Sequence, residues 1–210
     1  MENRQTINEL ILHGRAAEEA RVSHVNHGRT FWQFPIRVRR LSGTEDRLNV
    51  LVTREAAGGI LPAAGEEVTV RGEVRSFNNR SGQGSRLVIT AYARALIRER
   101  AEDDNRLLLA GALCKMPIYR RTPLGREICD MILAVNRRYG WSDYLPCIAW
   151  GTLARRCGQL GVGDRVALRG RLQSRTYVKR TETGQEERVA FEVSVMEMED
   201  TAKKGSAEAE

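Results

Sequence analysis

The chain repeats itself, and this constrains its fold more than any other feature. Asn8-x-Leu10-x-Leu12-x-Gly14 returns 97 residues later as Asn105-x-Leu107-x-Leu109-x-Gly111. The same offset pairs Ile36 with Leu133, Val38 with Val135, Arg40 with Arg137, Asp46 with Asp143 and Leu48 with Leu145. It becomes 98 for Gly65 and Gly163, Arg71-Gly72 and Arg169-Gly170, and Ser76 and Ser174, then 102 for Gly82-Gln83 and Gly184-Gln185. An ordered series of matches with a slowly growing offset marks two copies of one fold. The drift falls in a helical segment and a turn, where small insertions are tolerated. In 210 residues each copy has roughly 100, enough for a core of its own.

Alternation of apolar and polar residues predicts strands in the first copy near 7–14, 30–40, 47–53, 66–77 and 86–97. In the second copy they fall near 105–114, 127–138, 144–150, 164–178 and 188–197. One helical segment, Thr152–Leu160 closed by Gly161, lies between the third and fourth strands of the second copy. Its counterpart, Arg54–Ile60, contains Gly58-Gly59 and reads as a frayed helix or only a turn. Five strands with a helix between the third and fourth predict an all-β chain of two tandem OB-type barrels. The expected domains are residues 1–100 and 101–198, with the acidic Glu99–Asp104 as linker. The tail 199–210 is polar, without apolar periodicity, and is expected to be disordered.

Strand parity then separates wet from dry faces. In the stretch LAVNRRYGWSDYLPCIAW, Leu133–Trp150, the small apolar residues Leu145, Cys147 and Ala149 suit a tight barrel interior. Tyr144 and Trp150 fall on the opposite, outward face. Tyr139 and Trp141 lie in the short polar loop before them. On the fourth strand, Val166, Leu168, Gly170 and Leu172 face inward, while Arg165, Arg169, Arg171, Arg175 and Tyr177 form a basic stripe running into Lys179 and Arg180. A stripe of this kind serves as a solvated barrel face or as an anion-binding groove, and the absence of an acid before the loop points to the groove.

The first copy repeats the design with fewer rings. Arg71, Arg75 and Phe77 face outward on its fourth strand, with Glu73 between them, and Phe31, Arg37 and Arg39 share one face of its second strand. Trp32 has core parity with Phe34, Ile36 and Val38. Arg47 and Thr53 stand where the second copy has Tyr144 and Trp150. The first copy is therefore expected to bind nucleic acid less tightly or to pack against another subunit.

Charge and composition agree with a nucleic-acid partner. Lys plus Arg number 34 against 27 acids, a net charge of +7, and nearly all the cations are arginine. Arginine grips phosphate with a planar fork and stacks on rings, and outward rings beside it suit the bases of a single strand. The four cysteines show no CxxC spacing and read as small core residues in a reducing compartment. No membrane-spanning run or signal peptide is apparent, so a cytoplasmic, nucleoid-associated protein without membrane partners is expected. No catalytic constellation, cofactor motif or metal site emerges, which predicts a non-enzyme. His24-x-x-His27 reads as a solvated hairpin tip, and Ser81–Ser85 as a Gly-rich hairpin between two strands.

The second copy resembles the bacterial single-stranded DNA-binding protein family. The resemblance rests on N-x-L-x-L-x-G at its start, the P-x-x-R-x-TP-x-G loop, LAVNR, the strand with an aromatic, Cys and Trp, and G-D-x-V-x-L-x-GRLQSR-x-Y, in family order over residues 105–178. It implies stacking positions at Tyr144, Trp150 and Tyr177 and phosphate contacts at Arg121, Arg137, Arg155 and Arg171. It implies non-sequence-specific single-stranded DNA binding in replication, repair or recombination, and a homodimer presenting four barrels. Family members usually end in an acidic tip finishing with Pro-Phe that recruits replication and repair proteins. This sequence ends Gly-Ser-Ala-Glu-Ala-Glu, which leaves recruitment without its aromatic. The other reading carried forward is an adaptor of a primosome or recombination assembly, built from OB folds.

Overall fold

The computed structural model describes residues 7–79, 87–137, 140–181 and 184–200. The expected hairpin at Ser81–Ser85 and the tail beyond residue 200 lie outside the described residues, as does Tyr139. The fold is all-β, with one short helix. Two compact units emerge. One holds Leu107–Arg171 and the strand segment beginning at Val193; the other holds Glu9–Arg106 and Leu172–Glu192.

The first barrel is built from β1 (Asn8–Ala16), β2 (Arg21–Asn26), β3 (Arg29–Arg39), β4 (Glu45–Thr53), β5 (Glu67–Asn78) and β6 (Leu87–Ile97). Its strands follow the order β2-β3-β4-β6-β5-β1, and a β1–β3 pairing closes the ring. The second barrel uses β7 (Asp104–Leu113), β8 (Ile118–Arg121), β9 (Glu127–Asn136), β10 (Ser142–Trp150), α1 (Thr152–Cys157), β11 (Arg165–Thr181) and β12 (Gly184–Asp200). Its order is β7-β11-β12-β10-β9-β8, closed by β7–β9. Each barrel thus has the five expected strands and one more. The additions, β2 and β8, are short hairpin partners of β3 and β9. Every residue of both is exposed, so neither carries the apolar alternation that marks a strand in sequence.

The ladders reproduce the repeat offsets. Val50 pairs with Ala91 across the parallel β4–β6 contact, and Cys147 pairs with Val193 across β10–β12. Leu12 pairs with Val70, and Leu109 with Leu168. Inward-facing residues fill each barrel: Leu12, Phe34, Ile36, Leu48 and Val70 in one, Leu109, Leu133, Leu145, Leu168 and Val193 in the other, all essentially without exposure. Each such side chain contributes about 1.5–3 kcal/mol of burial.

The repeated glycines have a purpose here. Gly14 and Gly111 sit at the closing pairings, where an added Cβ would meet the carbonyl oxygens of Arg37 and Ala134 at 2.1 and 2.4 Å. Gly72 and Gly170 are pressed as closely on Tyr92 and Ser194. α1 is six residues long and ends at Gly158, shorter than the expected Thr152–Leu160. It presses Ala154 and Cys157 into the core. In the first barrel Arg54–Gly59 is only a turn, with Ala57 filling the corresponding space.

Arg40 and Asp46, and Arg137 and Asp143, are a repeated clamp. Both carboxylates are fully buried. The Nε of Arg40 donates to Asp46 at 2.7 Å, and that of Arg137 to Asp143 at 2.7 Å, with a second guanidinium contact in each pair. Asp46 also accepts the backbone N–H of Ser174 at 2.8 Å. Asp46 raises the pKa of Arg40 further above its ordinary value, chiefly through their hydrogen bond. Removing one partner of a buried pair strands the other charge. Asp46→Ala is therefore expected to cost about 3 kcal/mol in urea unfolding, whereas neutralising the exposed Asp104, paired with Arg106, should cost under about 1 kcal/mol.

Candidate nucleic-acid interface

The second barrel presents Tyr144 and Trp150 outward, 50% and 43% exposed, while Leu145, Cys147 and Ala149 between them are buried. The β9–β10 ladder sets what surrounds the rings. Tyr144 lies opposite Ala134, Pro146 opposite Ile132, and Trp150 opposite Ile128. Opposite residues of an antiparallel pair share a face, so the rings flank a small, flat, apolar floor. The floor continues onto β8, where Ile118 lies opposite Asp130 and Arg120 opposite Ile128. Trp141, at the hairpin tip, is 72% exposed.

Arg120 shares this face, paired to Asp130 at 2.9 Å. Sequence reasoning passed it over because β8 lies between Pro117 and Pro123 and reads as a loop. The only available signal was the alternation of Ile118 and Arg120 against Tyr119 and Arg121.

The other arginines are placed differently. Arg121 lies opposite Glu127 on the inward-parity side of the ladder, at its end. Glu127 gathers Arg121 at 3.1 Å, Arg155 at 2.8 Å and the hydroxyl of Tyr119 at 2.7 Å. These partners, Tyr119 first, hold its carboxyl below the usual range. A depressed carboxylate stabilises the fold at neutral pH, and this contribution is lost as acid protonates it. Arg137 is committed to Asp143. Arg169 is exposed on β11, 3.9 Å from Glu197, and Arg171 is half-buried.

Tyr177 and Arg175 belong to the hairpin segment Leu172–Glu192, within the unit of the first barrel. Arg175 covers the Tyr177 ring at 5.6 Å and approaches Glu192 at 3.7 Å. Gln173, read as outward, is buried and donates to Glu192 at 2.8 Å. The side chains of Lys179 and Arg180 lie outside the described residues.

In the first barrel, Arg37 and Arg39 border a mixed-charge depression with Glu45, Glu67 and Asp103. Arg71 is exposed, and Arg75 is half-buried and paired with Glu73. Phe77 is 40% exposed. Phe31 is half-buried and stacked on His24. Trp32 has inward parity yet is only half-buried, with the Arg54 guanidinium 5.5 Å above its ring. His27 and Gly28, both with positive φ, form the tight turn joining β2 to β3, as a two-residue hairpin demands.

Closed barrels with a helix before the fourth principal strand define a tandem OB-fold protein. The chain belongs, through its second barrel, to the single-strand binding protein family, whose sequence model matches residues 104–200. A relative from Listeria innocua, single-stranded DNA-binding protein 2, is 34% identical over 80 residues, covering 35% of this chain and 50% of its own length. Single-stranded DNA-binding protein 1 of Staphylococcus aureus is 36% identical over 80 residues, 35% and 48% of the two chains. The chain thus spans about half the length of these curated relatives. In fold, the wild-type single-stranded DNA binding protein from Thermus aquaticus matches with a TM-score of 0.77 and 21% identity over 98% of both chains.

Proposed function

We propose that this protein binds single-stranded DNA without strong sequence preference, and protects exposed strands during replication, repair or recombination. The observation that carries this reading is the pair of half-exposed rings, Tyr144 and Trp150, fixed on a rigid ladder whose inner side is fully packed. Rings held this way lose little freedom when a base stacks on them, and every base has a π-face. Trp141 extends the surface at the hairpin tip, while Arg120 and Arg169 supply nearby charge. Their ion pairs are exposed and weak, so a phosphate can replace the acid. Family membership supports the same partner.

On this reading the protein is not an enzyme and needs no cofactor. Two barrels per chain would give a homodimer four barrels, in the cytoplasm with the nucleoid. The domains follow the repeat, 1–100 and 101–198, with the tail from residue 199 outside them.

Titration with oligothymidylate, followed by tryptophan fluorescence, tests the proposal. Quenching on binding is expected. Neutralising about four phosphates would weaken affinity by about 50-fold between roughly 50 and 200 mM salt. Binding that ignores salt and leaves the fluorescence unchanged would refute the reading.

A further inference from the structure

The first barrel lacks rings at Arg47 and Thr53, but its outward face has others. Thr53 lies opposite Phe31 across β3–β4, at the register where Trp150 lies opposite Ile128. Leu51 pairs with Tyr92 across β4–β6, where the second barrel pairs Ile148 with Ser194. The rings have moved to neighbouring strands. Phe31 stacks on the exposed His24 at 4.8 Å with planes 7° apart, and Tyr92 tilts against its ring at 6.3 Å. Arg94 covers Tyr92 at 4.9 Å.

Two depressions open on this face and share Gln33 and Asn49. One is bordered by His24 and Phe77, with Thr90 in its lining. The other is bordered by Arg21 and Arg47. A flat ligand entering the first meets a ring at either border and amide groups between them. A negatively charged chain continuing from it meets guanidinium groups in the second. Arg47 and Arg94 are 52% and 57% exposed, in surface pairs with Glu18 and Glu73, which are weak enough to yield to phosphate.

We propose that this face of the first barrel is a second nucleobase site, in which an unpaired base enters between His24 and Phe77 while its phosphates run toward Arg21 and Arg47. The inference rests on the single-strand reading above, but it uses positions different from those of the second barrel. Gln33 and Asn49 offer donors and acceptors to a base edge, so this site discriminates among bases more than a bare ring platform does.

The test uses the full chain and bromodeoxyuridine-substituted oligonucleotides. Photo-crosslinks are expected on peptides containing His24 or Phe77, in addition to those at Trp150. The double variant His24→Ala/Phe77→Leu alters two exposed side chains and should keep the parent's melting temperature. It should bind a strand of about 35 nucleotides roughly tenfold more weakly and occupy a shorter length at saturation, while binding to an oligonucleotide of about 8 nucleotides, enough for one barrel, is unchanged. Unchanged affinity and occupied length for the long strand would overturn the inference while leaving the second-barrel reading intact. A variant that changes assembly mass in light scattering but not strand binding would mark the face as a protein contact, and also overturn it. A parent protein that fails to bind oligothymidylate would overturn both.

Discussion

Trp150→Ala should weaken binding to oligothymidylate by about 10- to 100-fold, the loss of one base-stacking platform worth about 1–3 kcal/mol. The ring lies on β10 opposite Ile128, and its neighbour Ala149 is fully buried. Truncation removes the platform without opening the core, so the melting temperature should change little. Trp150→Phe should restore most of the affinity, because a flat ring remains. Trp150→Leu should not, although it restores apolar area. Equal binding by the alanine and phenylalanine variants would remove Trp150 from the interface. Fluorescence anisotropy of a labelled oligonucleotide at two salt concentrations separates the two contributions. The stacking loss should be similar at both, while phosphate contacts weaken with salt.

The largest stability effect is expected at the glycines where strands pass closest. A Cβ on Gly170 would approach the carbonyl oxygen of Ser194 at 2.2 Å, and one on Gly72 would approach that of Tyr92 at 2.0 Å. The obstacle in each case is backbone, which cannot rotate aside as a flexible side chain does. Strands β11 and β12, or β5 and β6, must separate locally to admit a methyl group. Either alanine substitution should therefore cost about 3 kcal/mol or more, the upper range for overpacking, measured as a fall in the urea midpoint. Gly125→Ala is the contrast. Its added Cβ meets nothing within 4 Å, and only its positive φ of 76° opposes the change. A smaller loss of about 1 kcal/mol is expected there.

The repeat made the fold legible. Gly14 with Gly111 and Gly72 with Gly170 recur because barrel closure needs them, so they mark the same structural points in both copies. Parity separated Tyr144 and Trp150 from Leu145, Cys147 and Ala149, since the inner face tolerates only apolar residues. What remained hidden has physical causes. β2 and β8 bury nothing, so hydrophobic alternation has no grip on them. The ring row of His24, Phe31 and Tyr92 comes from three strands, and only their register brings it together. Arg121 and Arg155 were read as phosphate contacts, and their shared attachment to Glu127 depends on a cross-strand pairing that residue type does not reveal. Gln173 alternates with the outward arginines but finds Glu192 in a buried setting.

The Arg40–Asp46 and Arg137–Asp143 clamps bear on how the two copies could diverge. Each joins residues six apart, and each hairpin is tied again by a backbone bond, from the N–H of Arg40 to Thr44 and from that of Arg137 to Trp141. The clamp fastens the hairpin at its neck, so the tip beyond it has no part in holding the barrel closed. Tips fastened this way are interchangeable parts. Their sequences can drift, as Leu41-Ser42-Gly43 and the Gly140-Trp141 tip have drifted apart, while the barrels beneath stay the same. Duplication of such a barrel gives an organism a spare reading head on an unchanged mount.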